Sequence, residues 1–239
     1  MFTFPMTMMS GAAGYPVPAV NFDGTNDYLT RGAGMTGAAD STMCTGSFWI
    51  KGNTGELFQG DLTRFRALCS VSVFRLRGRG TTGTNILEYD GATTLSTSAW
   101  QHVLFSYDLS DTGKRHVYIN DVTDGGAWTT YTNATQDFTE SDYAIGANTG
   151  GTSKFNGDMA EFWFEDGVYI DFSNSANRRL FISAAGKPVN LGTTGQTPTG
   201  SSPLIYLHNS LATWETNLGS GGGFTENGAL SAAATSPSD

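Results

Sequence analysis

Residues 100–121 read WQHVLFSYDLSDTGKRHVYIND, and the alternation in this stretch decides the fold class. Successive side chains of a β-strand point to opposite faces, so HVLFSYD places Val103, Phe105 and Tyr107 on one face and His102, Leu104 and Ser106 on the other. A second strand follows at VYI, after which Asn120 and Asp121 tolerate the positive φ of a tight hairpin turn. Strand-length runs of aromatic and β-branched residues recur outward from here, at 19–22, 47–51, 68–77, 86–89, 116–120, 143–146 and 159–165, separated by Gly, Asn, Asp and Thr clusters. In MAEFWFE, Ala160, Phe162 and Phe164 are expected on one face and Glu161, Trp163 and Glu165 on the other. Many strands without alternating helices imply an all-β sandwich of two packed antiparallel sheets.

Composition agrees with this pattern. The chain has 239 residues, 31 of them Gly, and only 15% are charged, which disfavours long helices. Lys and Arg number 13 against 22 Asp and Glu, a net charge of −9. Nucleic acid is thereby excluded as the main partner, because binding it relies on neutralising phosphates with basic side chains. No apolar run approaches the roughly 18 residues of a membrane span, so no membrane partner is expected. No Lys or Arg precedes Arg31, and a secretion signal with a basic start is therefore not expected either. Cys44 and Cys69 are read as free core thiols.

Three regions are delimited. Residues 1–18 carry Pro5, Pro16 and Pro18 and read as an extended arm; 19–171 hold the strands; 172–239 are rich in Gly, Ser and Thr. In the last region Ser173 is expected to cap a short helix, NSANRRLFIS, stopped by Gly186 and Pro188. One strand at 204–208 and a flexible GSGGG stretch at 219–223 follow it. The arm is uncharged and carries Phe2 and Phe4 among its apolar residues, so it is expected to order against another subunit.

Four segments in order resemble the laminin-G-like, concanavalin-A-like jelly roll: VNFDGTNDYL at 20–29, GSFWIKG at 46–52, the hairpin at 100–121, and FNGDMAEFWFEDGVY at 155–169. The resemblance implies a jelly-roll β-sandwich over residues 19–171. Two features depart from it. Asp121 stands where that family usually has Gly, and a long Thr-rich excursion, 121–142, follows. The segment RRLFISAAGKPVNLGTTGQTPTGSSPLIYLHN, 178–209, resembles extensions of this fold in tailed-phage proteins. That likeness implies a non-enzymatic structural or binding protein on the virion surface, as a capsid decoration or tail-associated adhesin. Its partners would be other virion proteins, further copies of itself and host surface glycans.

Candidate chemistry was weighed on the same residues. Related jelly rolls include glucanases with two Glu on one strand, and Glu161 and Glu165 have that spacing. A retaining pair needs its carboxyl groups about 5 Å apart, with an intervening carboxylate tuning them. Trp163 occupies the intervening position, so hydrolysis is not expected, and a degenerate glucanase is the enzyme-class alternative. Trp163 flanked by Glu161 and Glu165 could instead form an apolar plate with adjacent acceptors for a sugar ring, or simply cover the sandwich. No Cys/His spacing suggests zinc, and no cofactor is implied. Calcium, frequent in this fold family, stays open because Asp23, Asp27, Asp108, Asp111, Asp121 and Asp124 fall in expected loops; turn formation is the expected role of each. Finally, Arg75, Arg77 and Arg79 alternate along one strand. They read either as a basic stripe for an acidic partner or phosphate-bearing glycan, or as charge protecting an edge strand.

Overall fold

The computed structural model describes residues 15–239. Two antiparallel eight-stranded sheets face each other across one apolar core, as the alternation implies. The first sheet runs β10 (Val122–Thr123), β9 (Arg115–Ile119), β8 (Gln101–Asp108), β3 (Met43–Gly52), β13 (Asn156–Asp166), β1 (Ala19–Asp23) and β16 (Ser231–Ala232). β14 (Ile205–Leu207) pairs with the far half of β13, beyond the part that β1 pairs. The second sheet runs β11 (Ala127–Tyr131), β7 (Asn85–Asp90), β6 (Val73–Arg79), β5 (Phe65–Ser70), β4 (Gly55–Gly60), β12 (Tyr143–Ile145), β2 (Tyr28–Arg31) and β15 (Thr225–Asn227). Where β3 passes beneath the Phe105 ring only Gly46 fits, since an added Cβ would lie 2.3 Å from that ring.

Several details differ from the sequence reading. Residues 68–77 are not one strand but parts of β5 and β6, joined by Val71 and Ser72 at φ of 53° and 60°. A β-branched residue at positive φ is rare, and its presence hid the turn. β6 lies between β5 and β7, so its arginines do not guard a sheet edge. In β13, Ala160 pairs with Trp49 and Trp163 with Ser47, leaving both Glu161 and Phe162 opposite Phe48. This is a β-bulge with Glu161 at φ 49°, and it puts Ala160 in the outer cluster with Trp49 while Phe162 stays in the core.

The C-terminal region is woven into the sandwich. Its strands join both sheets, and the 219–223 stretch is tied by Ser220 and Gly221 N–H groups donating to the Pro203 and Leu204 carbonyls. The helix α1 (Ser175–Arg178) is capped by Asn174, whose side chain accepts from Ala176 N–H, while Ser173 bonds Asp171 instead. Of the arm, Tyr15 to Pro18 pack on this same chain, with Val17 buried against Trp49, Ala160 and Ile182. Phe2 and Phe4 lie outside the described residues.

Asp121 explains its own departure from glycine. It occupies the β9–β10 turn at φ 65°, and its carboxylate accepts from Arg178 Nε at 2.5 Å and from Arg179. Arg178 also sits 4.6 Å over the Tyr118 ring and donates to the Phe172 carbonyl. The turn thus anchors the segment that crosses the outer face of the first sheet. Asp121→Gly should keep the hairpin but free both guanidiniums, costing about 1.5–3 kcal/mol. The expected result is a lowered thermal midpoint with new proteolytic cleavage within residues 172–203, whereas Asp121→Ala and Asp121→Gly variants as resistant as the parent would show that the anchor does not matter.

Candidate functional site

The outer face of the first sheet is covered over the half that carries Leu104, Tyr118, Trp163 and Tyr206, while at its other end Asn21, Lys51 and Asp158 line an open depression of about 300 Å³. Leu104, Tyr118, Trp163 and Tyr206 are covered by Ile170, Phe172, Phe181 and Leu191 in a second apolar cluster. Trp163, read either as a sugar plate or as a cover for the sandwich, has 0% of its surface exposed, and its Nε1 donates to the Gly195 carbonyl at 2.8 Å, which fits the second reading. A ring enclosed on both sides cannot stack on a sugar. Glu161 is also buried, and Glu165 Oε2 accepts from Leu204 N–H at 2.5 Å. The three residues share a strand, but the covering chain consumes their surfaces.

Burial dominates the electrostatics here. Desolvation pushes Glu161 up to about 8, against one hydrogen bond donated by the Tyr206 hydroxyl at 3.4 Å. His208 Nδ1 lies 3.5 Å from Glu161 Oε1, and burial lowers its pKa, so both groups are neutral near pH 7. Tyr15 closes the row, its hydroxyl 3.1 Å from His208 Nε2. Burial likewise raises Glu165 to about 7 and Asp166 to about 6.

The outer face of the second sheet is different. Register aligns Thr30, Ala144, Gln59, Arg66, Arg77, Glu88 and Thr130 in one row across β2, β12, β4, β5, β6, β7 and β11. Arg66, Arg75 and Arg77 keep 29, 28 and 22% of their side-chain surface in solvent, so no layer seals this side. Arg66 sits directly opposite Arg77, a repulsive cross-strand pair. Glu56, buried beneath, offsets it by pairing with Arg66, and Asp90 pairs with Arg75 and Arg77. Two depressions, of about 160 and 340 Å³, meet at Arg66. In the sequence Arg66 stands close to Arg75, Arg77 and Arg79, but only strand register sets it opposite Arg77 and adds Glu56 and Glu88.

The loop aspartates act in turns. Asp23 Oδ1 accepts from Thr25, Asn26 and Asp27 N–H; Asp27 accepts from Ala229 N–H; Asp108 holds Ser110, Thr42 and Lys114; Asp111 holds Gly113; Asp124 holds Ala92, Thr93 and the Tyr89 hydroxyl. Among the described residues no three His, Cys, Asp or Glu side chains converge on a point.

The profile described as the concanavalin A-like lectin/glucanases superfamily, a laminin-G-type family, matches residues 23–169. A putative carbohydrate binding protein from Bacteroides ovatus superposes with TM-score 0.59 at 15% identity, over 92% of this chain and 61% of its own. A native heptameric SAP-like pentraxin from Limulus polyphemus superposes with TM-score 0.52 at 14% identity, over 90% of this chain and 94% of its own. At these identities the likeness concerns the fold. No curated protein matches the sequence.

The Glu161 pocket makes a pH signature. In the unfolded chain this carboxyl ionises near its usual value of 4.5, whereas the fold retains the proton up to about 8. A raised carboxyl pKa contributes stability that is complete below pH 4.5 and is lost as pH rises through about 8. Glu165 and Asp166 act in the same direction. Glu161→Gln, which keeps an acceptor for Tyr206, should therefore flatten the decline in thermal midpoint between about pH 5 and pH 8. Parallel curves for parent and variant would contradict the assignment.

Proposed function

The chain belongs to the concanavalin A-like lectin/glucanases superfamily, and we propose that it is a non-enzymatic binding domain that recognises carbohydrate through the open outer face of its second sheet. The observation that carries this reading is the contrast between the two outer faces. One is covered over most of its apolar area by the chain's own segment, and the other presents the partly exposed guanidiniums of Arg66 and Arg77, the Glu88 carboxylate and the Thr130 hydroxyl in a row. Alternating donors and acceptors on a rigid sheet suit sugar hydroxyls, because the strands hold them in place without an ordering cost on binding. Hydrolysis has little support in this geometry. Glu161 is neutral and buried, Glu165 is bonded to backbone, and Trp163 stands between them.

A virion setting belongs to the same proposal. It rests on the likeness of residues 178–209 to extensions in tailed-phage proteins, and those residues include Phe181 and Leu191 of the covering layer. In that setting the domain would sit on the particle surface, attached to other virion proteins or further copies of itself, with the second sheet turned towards host glycans.

Cys44 and Cys69 are buried, so an Ala127→Cys variant, opposite Asp90 at the exposed edge of the open face and outside the polar row, offers one reactive thiol there. On a glycan array, the unlabelled variant should bind the same saccharides as the parent, and alkylation with a bulky maleimide should weaken that binding at least about tenfold. Unchanged binding after labelling would remove this face from recognition. A reducing-sugar assay on β-glucans should show no turnover, and turnover abolished by Glu161→Gln would overturn the non-enzymatic reading.

A further inference from the structure

The smaller depression on the open face is lined by Thr63, Arg66, Arg77, Arg79, Asn85 and Glu88. Each of its three guanidiniums is held in place by part of its nitrogen set. Arg66 Nε and Nη2 donate to Glu56. Arg77 Nη1 donates to the Leu76 and Tyr89 carbonyls at 2.8 Å, and its Nη2 donates to Asp90 at 2.5 Å. Arg79 Nε donates to Asn85 Oδ1 at 3.0 Å and Nη1 to the Leu62 carbonyl at 3.3 Å. The remaining nitrogens, Arg66 Nη1, Arg77 Nε and Arg79 Nη2, make no hydrogen bond among the described residues. The depression is therefore lined by three arginines that each keep a nitrogen without a hydrogen bond among the described residues.

Charge is unevenly distributed around it. Arg66 and Arg77 each have a carboxylate, whereas both partners of Arg79 are neutral, so the positive surplus sits at Arg79. Glu88 also lines the depression, its Oε2 accepting from Thr130 at 3.1 Å and Thr129 at 3.4 Å and its Oε1 from Asn85 at 3.4 Å. On the rim, Leu62 and Thr63 hold φ of 49° and 59°, and Leu62 leaves 63% of its surface in solvent. Backbone strain beside an exposed apolar side chain costs stability, and such strain concentrates where chains bind ligands.

We propose that this depression is a subsite for an acidic substituent on the bound saccharide, a sugar carboxylate or sulfate ester accepted by Arg66, Arg77 and Arg79, with Thr63, Asn85 and Glu88 meeting the neighbouring ring hydroxyls. The inference rests on the carbohydrate reading above and adds the ligand's charge to it. A volume of about 160 Å³ accommodates one substituent with part of one ring rather than an oligosaccharide, so affinity comes from the row and acid preference from the subsite. Guanidinium donors suit both oxyanions, because charge-assisted N–H bonds to carboxylate and sulfate are shorter and stronger than bonds to neutral acceptors.

Matched polysaccharides test this on the full chain by calorimetry at about 50 and 150 mM salt: polygalacturonate against its methyl ester, and a sulfated galactan against its desulfated form. The parent should prefer an acidic member about tenfold, less so at the higher salt, and the two pairs distinguish carboxylate from sulfate. Arg79→Ala removes no carboxylate's partner. It should abolish the preference while leaving affinity for the neutral member and the thermal midpoint unchanged. Glu88→Gln removes the one negative charge lining the site and should strengthen binding of the acidic member about threefold. Equal affinity of the parent for acidic and neutral members, or an equal loss for both in Arg79→Ala, would overturn the subsite and leave the carbohydrate reading standing. Binding of no member of either pair would remove both.

Discussion

A central strand of the first sheet is buried on both of its faces, and much of the molecule's arrangement follows from that constraint. β8 is buried at every position from Gln101 to Asp108, although its side chains alternate between two sides. The sandwich core can cover only one of them. The other needs a second layer, which residues 168–207 supply. Ile170, Phe172, Phe181 and Leu191 each contribute about 1.5–3 kcal/mol of burial there. The layer is fastened by the pairing of β14 with β13 and by the carboxylate of Asp121 gripping Arg178 and Arg179. Folding thus takes up much of one outer face, whereas no such layer covers Arg66, Arg75 and Arg77 on the outer face of the second sheet.

Two treatments of charge accompany the two faces. Beneath the covering layer, carboxyls such as Glu161 are stripped of water and given few donors, so they stay protonated and act as polar packing. On the open face, arginines are set in an opposed pair, with Arg66 facing Arg77 and with Glu56 and Asp90 offsetting the repulsion. Like charges placed directly across two strands weaken a sheet. Their place on the uncovered side accords with a role in recognition.

The strands and the two-sheet architecture are legible in the sequence because period-two alternation survives wherever one face is buried. Asn120 and Asp121 announce their turn, and both adopt positive φ. Legibility ends where local chemistry departs from habit. Val71 and Ser72 turn a chain that contains no Gly or Asn at that point, and the bulge at Glu161 shifts Ala160 to the outer side without any mark in MAEFWFE. Trp163 shows the same limit on a larger scale. Alternation correctly places it opposite the core stripe, but only the return of residues some 30 positions later decides that this side is covered. The Arg66, Arg77 and Glu88 row was beyond reach for a related reason: its members come from three strands, and register is a property of their pairing.

Amide hydrogen–deuterium exchange on the intact chain, with and without a bound acidic polysaccharide, tests most directly which face makes contact. Slowed exchange is expected at residues 62–66, 75–79 and 85–90, with residues 159–165 and 172–206 unchanged. Protection confined to residues 159–165 and 172–206, with none on β5 to β7, would place the ligand on the covered side and contradict a contact face on the second sheet.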